Sequence, residues 1–178
     1  MKIYLTYGFG MAAICFIWTL IEDATGLHGT HFDIGVYTHY VTWLIFFGGL
    51  WLGIKAVRSA NPDQSFTYSG GVGAGRGITS YFSVGSGIAG AIFLVYVNPG
   101  FIDAMLAMQA RKLEEKGISQ TQIDQLQHYT RMFMGPIPAA IVTFFTYLVL
   151  GLVFSLIIAA CLKRTGPDPV SAAVPPTL

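Results

Sequence analysis

Charge is scarce in this chain. Of 178 residues only 11% are Asp, Glu, Lys or Arg, whereas 53% are hydrophobic; soluble domains carry about 25% charged residues. A soluble protein of this length has no core large enough to hide so much apolar surface. Disorder is excluded as well, because it needs low hydrophobicity and high net charge. Ten Lys plus Arg against nine Asp plus Glu leave a net charge of +1, so nothing suggests a nucleic-acid partner. Two cysteines cannot build a disulfide framework. What the chain does have is long uncharged runs, and these make it a membrane protein.

Four segments contain no Asp, Glu, Lys or Arg: Ile3–Ile21, Val36–Ile54, Gly77–Val97 and Ile137–Leu162. A helix rises about 1.5 Å per residue, so roughly 20 residues cross a hydrocarbon core of about 30 Å. Continuous apolar runs without alternation satisfy their backbone hydrogen bonds in lipid as helices rather than as a barrel. The expected fold is all-α, an integral membrane bundle of four transmembrane helices in a single domain over residues 1–164. The spans fall at about 3–21, 36–57, 77–97 and 137–162. The first could be a signal peptide, but its length suits a span and no small-x-small cleavage site follows, so it reads as a retained helix. Lys2, Lys55, Arg58, Arg76, Lys163 and Arg164 collect on one side, which the positive-inside rule makes cytoplasmic, together with both termini.

Between spans, Glu22–Gly35 reads as a short polar external loop and Lys55–Arg76 as an internal one with a glycine-rich end. Residues 98–136 form the one sizeable segment outside lipid. Asp103–Lys116 has good helix formers with Gly117 as a C-cap. Ser119 with Gln122 makes a capping box for the next helix, and Ile118 with Ile123 a hydrophobic staple. The segment is expected to be an extracytoplasmic helical hairpin, with Phe101, Met105, Ile123 and Leu126 as candidate interface residues. Residues 165–178 form a proline-rich cytoplasmic tail.

Few constellations carry chemistry. Gly70-Gly71-Val72-Gly73-Ala74-Gly75-Arg76-Gly77 resembles a phosphate loop, but Lys followed by Ser or Thr is missing and no strand precedes it. Gly71, Gly75, Thr79, Ser83, Gly87 and Ala91 instead recur every four residues, with Gly73, Gly77, Gly85 and Ala89 in the adjacent row. Small side chains at that spacing let helix backbones approach closely, within a bundle or a homo-oligomer. A path for a substrate along Thr79, Ser80, Ser83 and Ser86 is the sharper alternative. His28, His31 and Asp33 carry ligand types for a metal in an external loop, where histidines are more often solvated. Asp124 and His128 suit an i,i+4 surface pair. No nucleophile lies at helical spacing from a base, so no catalytic residue is assigned and the chain reads as a non-enzyme without a cofactor. With no ionisable residue deep in any span, an ion-driven transporter is disfavoured.

From Ser65 to Arg164 the order of features resembles a family of four-helix membrane proteins of unknown function, common among Bacteroidetes. The matching elements are Ser65-Phe66 before a glycine-rich third span and Asn98-Pro99-Gly100-Phe101 after it. Leu113-Glu114-Glu115-Lys116-Gly117-Ile118-Ser119 with Ile123 follows, then Pro136, Gly151 and Ser155-Leu156-Ile157-Ile158-Ala159-Ala160 before Lys163-Arg164. The resemblance implies a multi-pass protein of the bacterial inner membrane with an external hairpin, and no activity to carry over. The leading functional expectation is a non-enzymatic accessory or assembly subunit whose partners are the lipid bilayer and other membrane subunits. The alternative is a small transporter or channel for a neutral or lipid-like molecule.

Overall fold

A computed structural model describes residues 1–27, 32–60 and 66–163, with backbone only at 32–36 and 39. Six helices account for nearly all of it: α1 (Lys2–Ala24), α2 (Phe32–Ser59), α3 (Tyr68–Ile92), α4 (Phe101–Glu114), α5 (Gln120–Met134) and α6 (Pro136–Leu162). A π-helical turn, Phe93–Val97, continues α3. Among the described residues four stretches are long and apolar enough to cross a membrane: Lys2–Ala24, Tyr40–Ser59, Tyr68–Val97 and Pro136–Leu162. The fold is therefore the expected all-α arrangement with four membrane-spanning helices.

Two boundaries differ from expectation, each for a local reason. The third span begins at Tyr68 rather than near Gly77, because Thr67 is an N-cap whose hydroxyl accepts the Gly70 N–H at 3.2 Å. The glycine-rich stretch thus falls within the first three turns of α3 and is not a loop. The first span runs on to Ala24. There Gly26, at φ 77°, lets the Leu27 N–H reach the Glu22 carbonyl and the Gly26 N–H reach that of Asp23, both at 2.9 Å. These are the two bonds of a Schellman end, so Glu22 and Asp23 belong to the helix. Gly117, also at φ 77°, closes α4 the same way: the Ile118 N–H bonds the Leu113 carbonyl at 3.1 Å.

α3 is the central helix. On one face it receives α6, running antiparallel, through complementary absences of side chain. Ser155 occupies the space a Cβ on Gly75 would need, Thr79 fills that of Gly151, and Ala159 lies 2.7 Å from where a Gly71 Cβ would sit. Farther along, the Ala140 carbonyl comes within 3.1 Å of a Gly87 Cβ position. On another face α3 receives α1, running parallel: Tyr4 covers Gly77, Gly8 sits against Ile78 and Tyr81, and Ala12 lies 2.8 Å from a Gly85 Cβ position. In lipid such close approach supplies the van der Waals contact that replaces a hydrophobic drive. An aromatic layer fastens α2 to the others, with Phe46–Phe82 centroids 4.8 Å apart and Phe82–Tyr147 4.9 Å apart.

α4 and α5 pair at the other end, where Asp103 meets Arg131 at 2.5 Å and the Gln127 amide donates to the Leu106 carbonyl at 3.3 Å. The ion pair is more than half exposed at both side chains and is worth at most about 1 kcal/mol. The Gln122 amide oxygen accepts from the Ser119 hydroxyl at 3.0 Å and from its N–H at 3.4 Å, closing the capping box. Asp124 accepts from Gln120 at 3.0 Å, so the surface pair expected with His128 is replaced by a Gln–Asp contact one turn earlier.

Candidate functional site

A cavity of about 310 Å³ opens in the half of the bundle nearer α4 and α5. It lies where α3 gives way to the π turn, a backbone form found often at functional sites. Phe16, Ala89, Phe93, Phe101 and Met134 make much of its wall apolar. Into this wall are set Cys15, Thr19, Glu22, Thr42, Ser86, Thr143 and Tyr147. Gly90 also lines it, and a Cβ there would meet nothing within 4 Å. Apolar walls with a few placed polar groups are the usual make-up of a small-molecule pocket, whose volumes begin at roughly 300 Å³.

Glu22 is the decisive polar group. It is only 2% exposed, and its carboxylate accepts the Thr38 hydroxyl at 2.5 Å. Its neighbour Asp23 accepts the Asn98 amide at 2.6 Å, tying the end of α1 to the chain leaving the π turn. A carboxylate buried in a membrane helix is expensive and by default marks a functional position. The expectation that Glu22 opens an external loop is therefore corrected: α1 is longer than its charge-free run, and its last turn carries Glu22 inward. The Gly26 cap was the sequence signal for it.

The small-residue row divides at the cavity. Gly71, Gly75, Thr79 and Ser83 are buried, Thr79 and Ser83 completely. Gly87 is buried and Ala91 half-buried. Ser80 donates back to the Arg76 carbonyl at 2.9 Å, and only Ser86 of the hydroxyl-bearing residues of α3 reaches the cavity wall. The path considered along Thr79, Ser80, Ser83 and Ser86 is thus closed between Thr79 and Ser83, and Ser86 lines the cavity with its hydroxyl shielded. Of the candidate interface residues, Ile123 is wholly buried, Met105 is 9% exposed, and Phe101 packs edge-on against Phe93 at 5.6 Å. All three serve the chain's own packing, because α4 and α5 fold onto each other and onto the bundle; Leu126 stays at the surface. His28 and His31 lie outside the described residues, as does the tail after Lys163, and of Asp33 only the backbone is described.

A family model described as "Protein of unknown function (DUF4199)" matches residues 6–164. The chain belongs to the DUF4199 family. That match takes in the first two spans as well as Ser65–Arg164, so both the cavity and the α3–α6 contact fall inside the DUF4199 region. No curated protein and no solved structure matches the chain.

Proposed function

We propose that this is a non-enzymatic multi-pass protein of the bacterial inner membrane that admits a small neutral, hydroxyl-bearing molecule to the cavity from the extracytoplasmic side. The observation that carries the reading is the buried carboxylate of Glu22 set in the otherwise mainly apolar wall. A molecule with a hydroxyl at one end and an apolar remainder satisfies both features. Orientation follows from Lys2, Lys55, Arg58, Arg76 and Lys163, all at the bundle end remote from the cavity. The probe is 1,2-hexanediol, which joins two hydroxyls to a short chain. It should raise the thermal midpoint of the detergent-solubilised protein. Gly90→Leu, filling the cavity from an open position, should keep the fold and abolish the rise; an equal rise in that variant sinks the proposal.

A second reading, an accessory subunit, is favoured by the outward face of α5. Leu126, Tyr129, Met132 and Phe133 are 49–62% exposed there and share one side of an amphipathic helix outside the spans. Under that reading, Leu126→Glu with Phe133→Glu should release a protein subunit that co-purifies with the unaltered chain in mild detergent. A lone chain in both preparations refutes it.

A further inference from the structure

Arg76 is the one charged residue in the stretch Tyr68–Val97. It stands about 12 Å along the axis from the start of α3, at 1.5 Å per residue. Its side chain is exposed and lines a surface groove of about 370 Å³ between α3 and α6. Ser69, Gly73 and Arg76 lie at i, i+4 and i+7, one stripe of α3, and Tyr68 joins them at the end of the bundle. Gly73 keeps the groove open, since a Cβ there would meet nothing within 4 Å. Helical side chains lean toward the helix N-terminus, so Arg76 leans over Gly73 toward Ser69. Leu152 and Leu156 of α6 make the opposite wall and are 42% and 41% exposed. Because Ser155 packs on Gly75 and Gly151 on Thr79, Leu156 lies level with the Gly73–Arg76 turn and Leu152 one turn deeper. The groove therefore grades from hydroxyls through a guanidinium to hydrocarbon. A charge set in a membrane helix calls for a partner, and among the described residues no Asp or Glu lines this groove.

We propose that this groove holds an anionic phospholipid from the leaflet at the basic end of the bundle. Its phosphate sits on Arg76 and Ser69, and one acyl chain runs along Leu156 and Leu152. The guanidinium fork matches two phosphate oxygens at once. The Ser69 hydroxyl, 3.3 Å from that of Thr67, can turn its proton to a third. Lys2, Lys55, Arg58 and Lys163 at the same end favour a negatively charged headgroup over a zwitterionic one. A soluble phosphate would satisfy the polar end equally but would leave the two leucines uncovered, so the apolar wall selects the lipid. The groove lies at the end of the bundle remote from the cavity, and this site stands without the cavity reading.

The test is thermal unfolding of the full chain in a neutral detergent, titrated with dioleoylphosphatidate, dioleoylphosphatidylcholine or inorganic phosphate. Phosphatidate carries charge but no alcohol, so it does not probe the cavity. It should raise the midpoint at concentrations at least about fivefold below those phosphatidylcholine needs, and inorganic phosphate should leave the midpoint unmoved. Arg76→Gln should require at least about tenfold more phosphatidate, as the loss of a charge-assisted bond implies. Gly73→Leu, which fills the groove from an open position and keeps every charge, should weaken the response as much. Lys163→Gln removes the same unit charge outside the groove and should keep the response within about twofold. Equal weakening in Arg76→Gln and Lys163→Gln, or an undiminished response in Gly73→Leu, overturns the site. Equal responses to the two lipids overturn the anionic headgroup, and a rise with inorganic phosphate matching that of phosphatidate overturns the lipid.

Discussion

Gly8→Ala should lower stability by about 1–3 kcal/mol, the range of overpacking in a filled contact, and show it as a clear fall in thermal midpoint. The added Cβ would lie 2.5 Å from the Tyr81 Cβ and 2.7 Å from the Ile78 carbonyl oxygen. Both atoms belong rigidly to α3, so relief requires the two helices to move apart. Leucine at the same position should prevent recovery of a single, monodisperse species. Gly10→Ala and Gly73→Ala are the matched controls, since a Cβ at either meets nothing within 4 Å. Each should be neutral or stabilising by up to about 1 kcal/mol, the helix-propensity difference between glycine and alanine. Equal midpoints for Gly8→Ala and Gly73→Ala would contradict close packing of α1 on α3.

Glu22→Ala should cost about 1–3 kcal/mol, the penalty for removing one partner of a buried hydrogen bond. The bond from the Thr38 hydroxyl to Glu22 is lost, and the wall of the cavity loses its one acidic side chain among the described residues. Glu22→Gln keeps an acceptor oxygen and should recover most of the stability. It should nonetheless weaken the response to 1,2-hexanediol by about tenfold, because a hydrogen bond to a charged group is worth more than one to a neutral group. Thermal titration of the three proteins with the diol separates the two effects. An undiminished diol response in Glu22→Gln removes the carboxylate from the site.

The four spans were legible because lipid penalises charge so strongly that uncharged runs of twenty or so residues mark them directly. Their ends were less so. Counting the first span as stopping at Ile21 left Glu22 in a loop, although Gly26 four residues on already indicated a helix closing there. The glycine run at 70–77 likewise read as a loop end, since glycine weakens helices in water; Thr67 gave the cap, α6 packs on Gly71 and Gly75, and Tyr4 of α1 packs on Gly77. The cavity was not legible at all. It is the space left where Gly90 has no side chain and the backbone widens at Phe93, and a hole depends on what several helices together fail to fill.

The π turn also fixes an angle. Each residue of an α-helix advances by about 100°, and the bond from the Asn98 N–H to the Phe93 carbonyl, 2.9 Å long, spans five residues instead of four. Everything beyond Phe93 therefore leaves on a heading rotated by about one residue from the one α3 set. Asn98 finds Asp23 and Phe101 finds Phe93 on that rotated heading. The α-helical part of α3 is clamped between α1 and α6, while the cap formed by α4 and α5 takes its bearing from a single surplus residue. Losing that residue would leave the α3–α6 contact as it is and swing the cap off the mouth of the cavity.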